Sequence, residues 1–187
     1  MRIISGIFKG KKIFLPKDIK TRPLKDMTKE SIFNIIEHSN KFSTKIKNSE
    51  ILDLFSGTGS FGIECLSRGA KYVTFFENYK EILPILKKNL QNLNSLKNYS
   101  IIENDVLNNL NFKNFNKTFD IIFLDPPYKQ NELNKLIEVF SGDRLLSNDG
   151  ILIIHRHKKQ IDLLPKNFRI LEKKIYGVSK ILFGDFN

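Results

Sequence analysis

Ile51-Leu52-Asp53-Leu54-Phe55-Ser56-Gly57-Thr58-Gly59-Ser60-Phe61-Gly62 is the stretch from which the architecture can be read. Ile51 to Phe55 has the length and apolar character of a buried strand, Ser56 to Gly59 is a glycine-rich turn, and Ser60 to Arg68 reads as a helix closed by Gly69. The same alternation continues downstream. Tyr72 to Phe76 is a second strand ending on Glu77, followed by a helix over Tyr79 to Leu93 that Pro84 should kink early. Tyr99 to Glu103 and Phe119 to Leu124 read as the third and fourth strands, Glu132 to Phe140 as a helix and Gly150 to His155 as the fifth strand. Two closing strands lie near Phe168 to Tyr176 and Ser179 to Phe186, around Gly177. Strands alternating with helices predict a doubly wound, mainly parallel seven-stranded α/β sheet, and the final pair predicts an antiparallel edge.

Upstream of this core the pattern changes. Arg2 to Ile7 and Lys12 to Leu15 read as two short strands around the Lys9-Gly10-Lys11 turn, a small β-hairpin with basic residues at its tip. Lys25 to His38 carries Met27, Ile32, Phe33, Ile35 and Ile36 at near-helical spacing, with Asp26 or Thr28 as the cap. The polar stretch Ser39 to Ser49 marks a boundary. It divides an N-terminal extension, residues 1–48, from a core over residues 49–187.

The chain has 187 residues, enough for one sizeable core with a small appendage. Its net charge is +11, and residues 1–30 hold nine basic side chains against three acidic ones, so +6 falls in one sixth of the chain. Such a segment suits a nucleic-acid partner, because phosphate neutralisation and counterion release supply most sequence-independent affinity. A Lys-rich composition on a solvated face is the alternative explanation. One cysteine, Cys65, leaves no intrachain disulfide or multi-cysteine zinc site and reads as a small buried residue in a reducing compartment. With no run approaching a membrane span and no apolar leader after Met1, the expectation is a cytoplasmic monomer without membrane association.

In open α/β sheets ligands bind beyond the carboxyl ends of the strands, and four acidic residues fall there: Asp53, Glu77, Asp105 and Asp125. Gly57 and Gly59 let a ligand approach the backbone at a helix N-terminus. Glu77, 18 residues past Gly59, stands where an acidic group accepts ribose hydroxyls. Gly57-Thr58-Gly59-Ser60-Phe61-Gly62 also satisfies the dinucleotide pattern, so a nicotinamide-dependent enzyme has to be weighed. Asp53 argues against it. An acidic group four residues before the first glycine repels a pyrophosphate but suits a cationic cofactor free of phosphate, such as S-adenosylmethionine. Asp105 would then accept from an adenine amino group. Asp125-Pro126-Pro127-Tyr128 ends the fourth strand as a rigid turn rich in acceptors, with the Asp125 carboxylate and the Pro126 carbonyl placed to grip a planar amine beside the Tyr128 ring. His155 and His157, beside Arg156 and Lys158, read as surface residues rather than metal ligands, and no metal is needed.

The glycine turn, Glu77 and Asp125-Pro126-Pro127-Tyr128 resemble the class I S-adenosylmethionine-dependent methyltransferases that act on exocyclic or amide nitrogen. Arg2-Ile3-Ile4-Ser5-Gly6, the Gly10-Lys11-Lys12 turn, and Thr21-Arg22-Pro23 with Asp26, Glu30 and Phe33-Asn34 resemble the bacterial-type 16S ribosomal RNA guanine-N2 methyltransferases, whose usual name specifies guanine 966. Met27 and Lys29 stand where that family usually has Arg, and Gly10-Lys11 replaces a more usual Gly-Arg.

The resemblance implies a Rossmann-like methyltransferase core, a cofactor set of Asp53, Phe55, Gly57, Gly59, Glu77, Asn78, Asp105 and Val106, and S-adenosylhomocysteine as product. It implies 16S ribosomal RNA as partner, within the small subunit or an assembly intermediate, with contacts expected from Arg2, Lys9, Lys11, Lys12 and Arg22. Catalysis would fall to Asp125, Pro126 and Tyr128, which hold and stack the base. Other readings are a DNA adenine N6 or cytosine N4 methyltransferase, a glutamine N-methyltransferase acting on protein, and a ribosome-assembly binder that has lost activity.

Overall fold

Apolar strands of five or six residues separated by glycine-closed helices pair side by side, and the computed structural model, which describes residues 1–16, 24–93, 97–106, 112, 115, 117–127 and 133–186, shows how. The elements are α1 (Asp26–His38), β1 (Glu50–Leu54), α2 (Ser60–Ser67), β2 (Tyr72–Phe76), α3 (Leu83–Gln91), β3 (Tyr99–Ile102), β4 (Phe119–Leu124), α4 (Leu133–Gly142), β5 (Leu146–His157), β6 (Phe168–Tyr176) and β7 (Ser179–Phe186). The seven-stranded sheet runs β3-β2-β1-β4-β5-β7-β6. Strands β1 to β5 pair in parallel, and β7 enters antiparallel between β5 and β6, which makes the antiparallel edge a hairpin. The strand order reverses between β1 and β4, so a crevice opens at their carboxyl ends.

Alternation along β1 sorts the core into two layers. Ile51 joins Val73, Phe75, Ile121 and Phe123 under α1, α2 and α3, whereas Leu52 and Leu54 join Phe76, Ile122 and Leu124 against α4. Asp53 therefore occupies a position on the first face that every neighbouring strand fills with an apolar side chain. Phe61 of α2 ties this face together, stacking on Phe33 of α1 at 5.2 Å and on Phe123 of β4 at 4.0 Å between ring centroids.

Several local expectations change under tertiary packing. Pro84 sits in the first turn of α3 and starts that helix instead of kinking it, because its missing N–H is one that no helix start uses. Neither Asp26 nor Thr28 caps α1; Lys25 holds the cap position without a side-chain bond. Met27 is 81% exposed, while Ile32, Phe33 and Ile36 form the buried stripe. The N-terminal hairpin narrows to one antiparallel bridge, Arg2 with Lys12, closed by Gly10 N–H donating to the Ile3 carbonyl at 2.9 Å.

That hairpin buries Ile3, Phe8 and Ile13 in the same apolar cluster as the sheet. Its backbone is clamped by Glu64 of α2, whose carboxylate accepts the Ile4 N–H at 2.7 Å and the Ser5 N–H at 2.9 Å. Glu64 also receives Arg68 Nε at 2.9 Å and lies 3.6 Å from the Lys29 ammonium, which donates to the Arg2 carbonyl at 2.8 Å. Lys29 is fully buried, so this departure from the family's Arg is a structural brace and not an exposed RNA contact. Replacing Glu64 by Ala takes a carboxylate from a buried ammonium and from two partly buried N–H groups. We expect a loss of about 3–5 kcal/mol in urea unfolding, with a smaller loss for Glu64→Gln; equal stability of Glu64→Ala and the parent contradicts the clamp.

Candidate active site

A cavity of about 450 Å³ opens at the switch point, a size suited to a nucleoside-sized ligand. Its floor is built from the strand ends. Asp53 comes from β1, Glu77 follows β2 and Asp125 follows β4, and all three line the cavity with Phe55, Gly57 and Pro126. No lysine or arginine is among its described lining residues. A protein of net charge +11 thus keeps an anionic cavity, a field that favours a cation and opposes a phosphate.

The turn after β1 explains how the carboxylates are held. Phe55, Gly57 and Gly59 all adopt positive φ (59°, 55° and 78°), so the chain reverses within five residues. For Phe55 this conformation is strained, a cost of the kind that concentrates at functional sites. Behind the turn, α2 approaches the sheet so closely that a Cβ on Gly62 would lie 2.4 Å from the Phe75 ring and 2.9 Å from Asp53 Oδ2. Gly62 instead gives its N–H to Asp53 Oδ2 at 3.0 Å.

Glu77 receives three backbone donors: Gly57 N–H at 2.7 Å on Oε2, and Asn78 and Tyr79 N–H at 3.0 and 2.8 Å on Oε1. A carboxylate offers about four acceptor positions, which leaves one on Oε2 for a ligand hydroxyl. The Gly57 amide, which a phosphate-binding turn would direct at an anion, is here spent on Glu77, and the Gly59 N–H goes to the Ser56 carbonyl at 2.8 Å. The dinucleotide pattern in this turn accordingly offers neither of these glycine amides to a pyrophosphate.

Asp53 is 1% exposed. Burial pushes its carboxyl up to about 8, with the charges of Asp125 and Glu77 adding to the rise and the Gly62 N–H opposing it.

Asp125 is anchored from the neighbouring strand. Its Oδ1 lies 2.7 Å from Nδ1 of His155, and His155 Nε2 lies 2.9 Å from the Ser179 hydroxyl. The next residue, Arg156, is fully buried, donating Nη1 to the Pro127 carbonyl at 3.1 Å and Nε to Asp162 at 2.9 Å. Asp162 in turn accepts Lys180 Nζ at 3.1 Å. One strand end therefore grips both the carboxylate and the proline turn. The expectation of a surface His155 is corrected: at 5% exposure it is a buried partner of Asp125. Nothing local marks it. Only the register that sets Leu124 beside Ile154 brings the two following residues together.

Other expected residues fall differently. Asn78 lines the cavity, whereas Asp105 and Val106 do not; Asp105 is half-buried with its N–H on Asn104 Oδ1 at 2.8 Å, and Val106 packs in the α4-side core. Arg2, Lys9, Lys11 and Lys12 are exposed on the hairpin, where the Lys11 ammonium sits 5.1 Å over the Phe8 ring. Arg22 and Tyr128 lie outside the described residues. Leu24 adds an unexpected apolar wall to the cavity.

The raised Asp53 carboxyl carries a signed consequence. The native state keeps a proton that the unfolded chain releases near pH 4, so stability is full below that value, falls as pH rises from about 4 to about 8, and levels off above. Asp53→Asn removes this dependence. In thermal unfolding at a series of pH values, the variant's advantage over the parent should grow between pH 4 and 8; a constant gap contradicts the buried proton.

Known proteins are similar to this chain in sequence and fold. The chain matches the family model described as conserved hypothetical protein 95 over residues 1–185. It is 38% identical over 173 residues to ribosomal RNA small subunit methyltransferase D of Buchnera aphidicola from Acyrthosiphon pisum, covering 92% of this chain and 86% of the relative. Against the Haemophilus influenzae protein of the same name it is 34% identical, covering 95% and 90%. A crystal structure from Haemophilus influenzae described as a methylase superposes with a TM-score of 0.75 at 32% identity, covering 100% of this chain and 98% of that one. By sequence over nearly its whole length and by fold, the chain belongs to the conserved hypothetical protein 95 family, the family of the small-subunit ribosomal RNA methyltransferases D.

Proposed function

We propose that this S-adenosylmethionine-dependent ribosomal RNA methyltransferase modifies the exocyclic N2 of a guanine in 16S RNA, the guanine at position 966. The observation that carries the reading is the cavity with three carboxylates and no described cationic side chain on its wall, in a strongly basic chain. The basic surface suits the RNA phosphates and the cavity suits a sulfonium. Residues 1–48 serve in this reading as the RNA-binding extension, and the protein acts in the cytoplasm as a monomer.

The residues present fit the methyl donor. Glu77 faces it with one acceptor position kept for a ribose hydroxyl, Asp53 gains its charge when a cation displaces its proton, and the turn at Gly57 and Gly59 brings backbone close. Asp105 and Val106, which do not line the cavity, belong to the set only through the family resemblance, with Asp105 as the acceptor for the adenine amino group. When bound, S-adenosylmethionine supplies an electrophilic methyl group on its positive sulfur.

The acceptor side belongs to the turn after β4. Guanine N2 is a weak nucleophile because its lone pair is delocalised into the ring. Hydrogen bonds from the amino group to Asp125 and the Pro126 carbonyl hold the nitrogen, favour a more tetrahedral geometry and aim its lone pair. Orientation of this kind contributes about 7–11 kcal/mol at most. Asp125 is also placed to receive the amine proton, help worth about 10²–10⁴-fold. Tyr128 stacks on the extruded base, a contact worth about 1–3 kcal/mol.

The decisive experiment offers undermethylated small subunits, free 16S RNA and DNA in parallel, with labelled methyl donor and mapping of the modified nucleotide by mass spectrometry. Label at N2 of guanine 966 is the expected result; label in DNA adenine or cytosine overturns the reading. Asp125→Ala should bind the cofactor normally in calorimetry yet lose turnover, and an unchanged rate removes the assigned role. Reversing the charge of Lys11 and Lys12 together should weaken RNA binding and lower the slope of log affinity against log salt by about 1 for each phosphate no longer neutralised. A slope equal to the parent's counts against the hairpin as the RNA-binding surface.

A further inference from the structure

Asp125 has two oxygens and only one faces a free role. If both were open to solvent or substrate, the carboxylate would rotate about its χ2 and present either to the acceptor amine. The structure removes that freedom: Oδ1 is 2.7 Å from His155 Nδ1, and the histidine is held at its far nitrogen by Ser179 at 2.9 Å. His155 and Ser179 are 5% and 6% exposed, while the Asp125 side chain keeps 22% exposure toward the cavity. The chain of contacts runs from Asp125, just past the end of β4, to His155 on β5 and Ser179 on β7, three adjacent strands of the sheet.

The chemistry fixes the proton positions. An ionised carboxylate only accepts, so His155 Nδ1 carries the hydrogen. The Ser179 hydroxyl donates to a neutral Nε2 and accepts from a protonated one, so the same geometry serves both charge states of the ring. The difference falls on Asp125. Beside neutral imidazole it keeps its full negative charge and a strong free acceptor at Oδ2; beside imidazolium that charge is neutralised. Asp53 and Glu77 line the same cavity as Asp125 and His155, and on the other side Arg156 and Lys180 both pair with Asp162, two cations to one anion.

We propose that His155, itself fixed by Ser179, is the positioning residue of the methyl-transfer step, holding Oδ1 of Asp125 so that Oδ2 alone receives the acceptor amine. The inference rests on the reading of Asp125 as the group that orients that amine. No bond to His155 is made or broken in the step: it donates one hydrogen bond throughout, and the amine proton goes to Oδ2.

The test compares His155→Ala, His155→Asn and Ser179→Ala with the parent in single-turnover methylation of undermethylated small subunits, with pH profiles and cofactor affinity measured on the same preparations. His155→Ala should lose turnover on the order of 10²-fold, the scale of a misplaced reacting group, with cofactor affinity unchanged. His155→Asn, whose amide nitrogen can donate from the Nδ1 position, should recover most of that loss. Ser179→Ala, which removes the partner of the far nitrogen, should lose turnover by less than His155→Ala, and a rate equal to the parent's overturns the part assigned to Ser179. Nitrogen-15 spectra of the parent should show His155 with its hydrogen on Nδ1, a readout independent of activity. A neutral ring protonated only at Nε2, or a His155→Ala enzyme that matches the parent in rate and profile, overturns the inference alone. A parent that transfers no label to RNA overturns the reading of the substrate and this inference with it.

Discussion

The close approach of α2 to the sheet at Gly62 is the constraint on which the rest is built. Without a side chain there, the helix backbone reaches Asp53 and gives it a hydrogen bond; with one, it would collide with the Phe75 ring. This contact decides three things together. It seats α2 so that Phe61 can stack between Phe33 and Phe123. It fixes the turn that aims Gly57 at Glu77. It also lets a carboxylate exist on the apolar face of β1, where burial raises its proton affinity and a cationic ligand would restore its charge.

Charge is segregated on a scale of a few residues. The hairpin presents its lysines outward while its apolar residues join the main core, and Glu64 fastens its backbone to α2. Asn89 extends the connection, exchanging hydrogen bonds with Phe14 and donating to the Thr58 carbonyl in the glycine turn. A basic surface and an anionic cavity are therefore joined through wholly or partly buried hydrogen bonds. Such coupling lets affinity for a polyanion and affinity for a small cation coexist, because each field acts over about a Debye length and the protein wall separates them.

Much of this was legible in the residue order. Alternating apolar runs and glycine stops predict the strands and the doubly wound sheet, and carboxylates at strand ends predict Asp53, Glu77 and Asp125 on one cavity. The errors are instructive. Pro84 looks like a kink only if the helix begins at Tyr79; α3 begins at Leu83, and Pro84 falls in its first turn. Lys29 looks like part of a basic surface, although it faces Glu64 inside the molecule.

The sequence by itself determined where the chemistry falls along the chain: which residues sit at strand tips, where the backbone can turn, and that the chain carries excess positive charge near its start. These are properties of local periodicity and glycine placement, which act over a few residues. Only the tertiary structure decided that His155 and Arg156 hold Asp125 and Pro127, and that Glu77 consumes the Gly57 amide of the turn. Those contacts join residues 20 to 30 apart across strand pairs. They exist because sheet register, a cooperative outcome of the whole core, sets side chains opposite one another that no local pattern relates.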